Sequence, residues 1–593
     1  MKKLFSIFAL MLAFAGMASA QWTSPGNGTT YNLDDLVSVS NGSVVYIGEL
    51  PYSQERPVYR FMADITISPN DQLFIPSHNF IEFDDVTLTI QGSMTVDDSN
   101  SDPGNFFDKN HENEDVHPRI RFEDATGASL FKSCVFLTFS GIQIINSEVT
   151  FNNCHLYYFD TFHQSSAVNF MNCDPVFINC LFYQNEGAAI SSATNASGSP
   201  QILNCVIEYN VTSNTNQPQI NLGPGAADTI RIVNCAIKGG GHDMSGGISI
   251  ADLMNTGETK ILLKDNIVKD NRYGYNQQGY NLSSLIIGNQ FIDNNFETNP
   301  NNGGSGISIY GMNENNKAKL RNNLISGNLW GVTTIYFHDV DMGTENDWGR
   351  NVLFGNGNGG NEYAIYNNGN PDVYAIGNYW GYNEEEQIEN VIWHSGGDVI
   401  WRPYQTLHPD VLNVVAPQEE NQLFTRDYYG DIDAENHTIK LHIPEEEITS
   451  YIIYGELHYQ ITISIELPLG NTCDVLYPDE TVINMQEPFT FTVTTPHGET
   501  QEWTILPESN WGIEESENAD IQVLYSKEQG QIEVQCTLQQ ASVVVSNLMG
   551  QVVYTGRLDA GQQSIGVGTW AKGLYVVSLT KGNRSLSQKI IVD

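Results

Sequence analysis

The sequence predicts an all-β protein organised around a stacked repeat, and three observations carry that prediction. The first is a ladder of short cassettes: Ser133-Cys134-Val135-Phe136, Asn153-Cys154-His155-Leu156, Asn179-Cys180-Leu181-Phe182, Asn204-Cys205-Val206-Ile207 and Asn234-Cys235-Ala236-Ile237. The series continues with amides in place of Cys, through Asp265-Asn266, Asn289-Gln290, Asn322-Asn323, Arg350-Asn351 and Gly377-Asn378. The second is the spacing of successive cassettes, 20 to 33 residues, which marks one supersecondary unit stacked on copies of itself. The third is what fills the gaps. Gly and Asn leave no room for paired amphipathic helices, and brief alternations such as Gly306-Ile307-Ser308-Ile309-Tyr310 read as strands.

Short strands, Asn turns and a period near 27 residues resemble a right-handed parallel β-helix of the pectate-lyase-like kind, over most of residues 60–405. Stacking explains the residue choice. Each coil lies about 4.8 Å above the last, so a sequence position becomes a column. Asn at a tight corner tolerates the left-handed conformation and can bond the amides above and below. The next, inward position is expected to be small or apolar in every coil, as Cys is. Burying such columns is worth roughly 25 cal/mol per Å² of apolar surface.

Taken in order, Lys2-Lys3, the apolar run Leu4–Ala15 and Ala18-Ser19-Ala20 predict a signal peptide over 1–20. The β-helix with its N-terminal cap is expected over 21–408, opening on a short capping helix near Thr30–Leu36. An acidic insertion from Asp97 to Asp115 is read as a solvated loop off the helix. Within it, Asp98-x-Asn100-x-Asp102 has the alternate-oxygen spacing of a calcium loop, without the Gly and Glu positions of an EF-hand. Calcium is the one cofactor the sequence suggests. Trp380, Trp393 and Trp401 are expected to cover the last coil, with a sugar-stacking platform as the alternative. Residues 409–424 read as a polar linker with no regular pattern.

Longer alternating strands from Asp431 to Leu506 predict a small antiparallel β-sandwich, domain limits 425–510, which resembles immunoglobulin-like surface modules. Residues 519–593 form a second β unit. The Asn547-Leu548-Met549-Gly550-Gln551 turn, the Lys572-Gly573-Leu574-Tyr575-Val576-Val577 strand and Lys589 before Ile590-Ile591-Val592 resemble the C-terminal sorting domain of type IX secretion substrates. That resemblance implies handling by an outer-membrane translocon, and a secreted or surface location on a Gram-negative bacterium.

The 593 residues carry 27 Lys plus Arg against 70 Asp plus Glu, a formal charge of −43. Nucleic acid and anionic membrane surfaces are therefore poor partners. Beyond the leader no run is long and apolar enough to span a bilayer. Five of the eight Cys share one cassette position, where parallel side chains make poor disulfide geometry, so a ladder of buried free thiols is expected. There is no CxxC pair to hold zinc.

Catalytic signals are sparse. Gly241-His242-Asp243 stands without the paired Asp residues that hydrolysis of a glycosidic bond requires, and Asp84-Asp85 is far off in sequence. The acidic group Asp339, Asp341, Glu345 and Asp347, with Arg350 and His338 nearby, is the candidate for lyase-type chemistry, which needs carboxylates to bind calcium and a basic residue beside them. Two readings result. One is a non-catalytic secreted or surface β-helix that binds glycan or another extracellular partner along its flank as an adhesin does, or acts as a stalk. The other is a polysaccharide lyase or glycoside hydrolase.

Overall fold

The computed structural model describes residues 21–49, 56–97, 104–112, 115–444, 447, 449–453, 456–506, 521–526, 530–536, 541–547, 551–558, 561–568, 570–581 and 584–592. The expected signal peptide and the expected calcium loop at Asp98, Asn100 and Asp102 lie outside these residues.

Residues 21–408 form a parallel β-helix of three long sheets. Each coil contributes one strand to sheet A, one to sheet B and one to sheet C, in that order, as in Ile65–Ile67, Gln72–Ile75 and Phe80–Phe83. Sheets A and B have 14 strands and sheet C has 13. Pairing is parallel except at the start of sheet C, where Val44–Glu49 runs antiparallel to Pro57–Phe61. The expected capping helix is α1 (Leu33–Val39), begun by a capping box between Asn32 and Asp35, with Leu33 and Leu36 buried.

Strand alternation builds the core, because every second residue points inward. In sheet A, Ile220, Ile248, Tyr275, Ile307, Val332 and Ile365 lie in register. In sheet B, Phe131, Phe151 and Phe177 stack with centroids 5.0 and 5.3 Å apart, close to the strand spacing. In sheet C, Phe107, Phe136, Leu156, Phe182 and Ile207 form the matching column.

The cassettes are the corners from sheet B to sheet C. Their first residues, among them Asn153, Asn179, Asn204, Asn234, Asp265, Asn322 and Arg350, have φ between +52° and +55°. Gly377 takes the same corner with φ +73°. One cassette is out of phase with the sequence expectation. Gly288 is the corner (φ +70°), Asn289 the inward residue, and Gln290 pairs with Ile267 on the outer row.

The second cassette position divides into two ladders. Cys134, Cys154, Cys180, Cys205 and Cys235 are buried free thiols. Burial raises the Cys180 thiol, and the adjoining Cys180 thiol together with burial pushes Cys205 up to about 12. Below them the expected small or apolar residue is instead a buried amide. Nδ2 of Asn266 donates to Oδ1 of Asn289 (2.8 Å), Asn289 to Asn323 (3.0 Å), Asn323 to Asn351 (2.8 Å) and Asn351 to Asn378 (2.8 Å). Full hydrogen bonding is what makes the burial tolerable. A second amide ladder, with no cassette to announce it, runs at the sheet C to sheet A corner through Asn271, Asn294, Asn328 and Asn356.

Two further sequence expectations change. The acidic insertion is not wholly a loop, because Asn105–Lys109 is a strand of sheet C with Asp108 buried. The stretch read as linker, 409–424, carries strand Asn413–Ala416, and Val411, Val414, Ala416 and Phe424 enter the core of the following unit. Its apolar residues alternate too briefly to register as a strand among the Pro and Glu around them.

That unit, from Pro409 on, contains a nine-stranded sheet, antiparallel except where Thr438–Leu441 pairs with Thr500–Leu506, around a core that includes Trp503, Phe491 and Ile463. The C-terminal segment adds a three-stranded and a four-stranded antiparallel sheet. The last strand, Arg584–Val592, pairs along its whole length with Gly573–Lys581.

Candidate functional site

The candidate lyase residues are brought together, but as an ion-pair staple. Arg321, at the end of strand Lys317–Arg321, is nearly buried, and its Nη2 donates to both carboxylate oxygens of Asp341 (2.8 Å each) and to Asp347 (2.9 Å). Lys319 Nζ reaches Asp347 at 2.7 Å. The Arg321 guanidinium and then Lys319 hold the Asp347 carboxyl well below the usual carboxylate range. Asp341 also accepts the Gly343 N–H, and Asp339 faces Lys317 at 3.8 Å. Glu345 sits exposed at the tip of a turn closed by Thr344 and Asp347. Arg350 occupies the next cassette corner, exposed, with φ +52°. His338 is buried; its Nε2 meets Asn367 Oδ1 at 3.1 Å, and burial lowers its pKa. Arg321, which organises this group, lies in the sequence among alternating Lys residues of an ordinary strand, and nothing local links it to Asp341 and Asp347. A carboxylate clamped by a guanidinium is a poor proton donor near neutrality.

His242 lies on the sheet C to sheet A corner, where its carbonyl accepts the Ser245 N–H. Asp84 accepts from Asn110 and Asp85 from the His117 N–H. Among the described residues no three His, Cys, Asp or Glu side chains are grouped to hold a metal ion.

A different site emerges on the outer face of sheet A. Its outward residues form a register-matched row: Ser191, Asn221, Ser249, Asn276, Ser308, Thr333, Tyr366 and Trp393. Over the later coils this row floors a groove of about 470 Å³. One wall is the segment Pro300–Gly303, between the strands of sheet C and sheet A, with Trp330 on the same side, and Tyr366 continues the floor. Arg272 holds the wall in place by donating to the Asn302 carbonyl and to Asn216.

The aromatic rings are prearranged. Trp330 lies 4.5 Å from Tyr363 and is stacked on Tyr366 at 5.5 Å, and Tyr363 lies 5.2 Å from Trp393. Both indole N–H groups are used by backbone, Trp330 Nε1 donating to Pro300 O and Trp393 Nε1 to Glu362 O and Asn390 O. The polar edge of each ring is therefore tied down. Trp393 is exposed, whereas Trp380 and Trp401 are buried in the terminal core. The expectation for the three Trp residues thus divides, two capping and one beside the groove. Sequence reading found the cassettes because they repeat; the groove residues repeat only as small polar side chains, and their alignment depends on register.

Stacked parallel sheets and an antiparallel C-terminal tail define the class: an exported parallel β-helix protein. Residues 527–593 match the family described as secretion system C-terminal sorting domain, and residues 253–385 match the family described as protein of unknown function (DUF1565). The second match lies within the β-helix and spans most of the groove floor. Among curated proteins, none matches the chain. The sorting domain makes this a type IX secretion substrate, delivered to the cell surface or released. No helix among the described residues is long and apolar enough to cross a membrane.

Proposed function

We propose that the protein is a non-catalytic glycan-binding β-helix displayed at or released from the cell surface. The observation that carries this reading is the sheet A groove, where Trp330 and Tyr366 offer faces for a sugar ring while Asn276 and Ser308 offer amide and hydroxyl groups. Among the residues lining it there is no Asp, Glu, Lys, Arg or His, so the carboxylate pair of a glycoside hydrolase and the carboxylate-plus-base set of a lyase are not found there. The carboxylates at Asp341 and Asp347 are engaged by Arg321. Export by the type IX route fits contact with extracellular polysaccharide, and the β unit that follows the β-helix suits a spacer.

The test is glycan-array binding of the mature protein beside Trp330→Ala, with reducing-end and unsaturated-product assays on every polysaccharide bound. Binding lost in Trp330→Ala, with no product released, is the expected result. Product formation that survives purification to homogeneity would replace this reading with the lyase or hydrolase alternative.

A further inference from the structure

The three faces of the β-helix differ in charge over the same coils. Outward positions of sheet B carry Arg231, Lys260, Lys264, Lys317, Lys319 and Asp341. Those of sheet C carry Glu208, Lys238 and Lys269. The sheet A row from Ser191 to Trp393 carries no charge, and neither does the parallel row Ala251, Gln278, Tyr310, Ile335 and Asn368. In a chain of formal charge −43, two adjoining rows without a charge set this face apart from its neighbours.

We infer that the ligand of this face is an uncharged, unbranched polysaccharide lying parallel to the helix axis; the inference rests on the glycan-binding reading above and specifies its ligand class. The exclusion of acidic polymers follows from electrostatics. A uronate or sulfate group entering the groove would shed water without an ion-pair partner among the lining residues, which include no Lys, Arg or His, and the Arg272 guanidinium that ties the wall has its donors on Asn302 and Asn216. It would also enter the field of an acidic protein, felt over a Debye length of about 8 Å at physiological salt. A neutral sugar has neither cost, and its hydroxyls match amide and hydroxyl partners.

Orientation follows from the register. Successive residues of the row are one strand spacing apart, about 4.8 Å, so Asn276 to Trp393 spans roughly 19 Å in four steps. The rise of one pyranose in an extended chain is close to one step, so each sugar meets an equivalent floor position. The Pro300–Gly303 wall and the Trp330 ring stand along one side of that track, where a branch would collide.

The experiment is isothermal titration and affinity electrophoresis of the full mature chain against unbranched neutral oligosaccharides (cello-, xylo-, manno- and laminari-series) and against polygalacturonate and alginate, at low and high salt. The expected result is binding to a neutral series that is unchanged by salt and weakened about tenfold or more by Tyr366→Ala. Ser308→Asp should abolish it, with the thermal transition of the β-helix preserved, and Lys238→Glu on sheet C should leave it intact. Salt-sensitive binding to polygalacturonate or alginate that depends on Tyr366 would overturn this inference and leave glycan binding standing. Binding to no member of either panel would overturn both, and neutral binding indifferent to Tyr366→Ala and Ser308→Asp would remove the groove from the account.

Discussion

Replacing Asn323 with Ala tests whether the amide ladder is a stabilising element or a passive filler. The Asn323 side chain is fully buried and makes four hydrogen bonds. Its Nδ2 donates to Ile286 O and Asn351 Oδ1, each at 2.8 Å, and its Oδ1 accepts from Asn289 N (2.9 Å) and Nδ2 (3.0 Å). Truncation does not strand all four partners. Asn351 Oδ1 keeps the Asn323 N–H at 3.0 Å, and Asn289 Nδ2 keeps Leu263 O at 2.9 Å. The Asn289 N–H and the Ile286 carbonyl lose their side-chain partner. At about 1–3 kcal/mol for each buried group so affected, the cost is roughly 2–6 kcal/mol, with the lower end reached where water enters the space. Urea unfolding of the mature chain, followed by circular dichroism with the β-helix transition fitted separately, measures it. The neighbouring Asn322→Ala, on the exposed corner with φ +55°, should cost only the left-handed strain of about 1–2 kcal/mol. A loss below about 1 kcal/mol for Asn323→Ala, or equality of the two variants, would refute the claim that buried amide pairing holds the lower coils.

The thiol column should resist alkylation in the native protein and react fully after denaturation, and mass spectrometry finding bridges between neighbouring cassettes would contradict it. Cys180→Asp should be severely destabilising, since a carboxylate would enter that column unpaired. Cys235→Asn should raise stability by about 1 kcal/mol, because Asn266 Oδ1 already faces the Cys235 N–H at 2.9 Å and the new amide would extend the ladder upward. His338 is held neutral by burial, so its folded-state pKa lies below the unfolded value of about 6.5. Its contribution is present above that pH and lost as pH falls below it; unfolding free energy measured between pH 7 and 5 should therefore decline, and decline less in His338→Asn. Deleting residues 519–593 should leave a folded β-helix in the periplasm, and fusing that segment to an unrelated periplasmic protein should carry it outward; normal export of the truncated chain would contradict the sorting role.

The sequence by itself determined the repeat, the corner residues and the tail. Asn153, Asn179 and Asn204 announce left-handed corners because few other side chains tolerate that backbone, a preference expressed within one residue. The alternation in Gly573–Lys581 and Arg584–Val592 likewise belongs to the strands themselves. Tertiary structure decided what depends on register. The phase of the Gly288-Asn289 corner, the pairing of Arg321 with Asp341 and Asp347, and the alignment of Ser308, Thr333, Tyr366 and Trp393 all join residues about 20 to 34 apart in the chain, across loops of unequal length. A local sequence signal cannot count across such loops, whereas hydrogen bonding between coils fixes the count, and with it which side chains share a face.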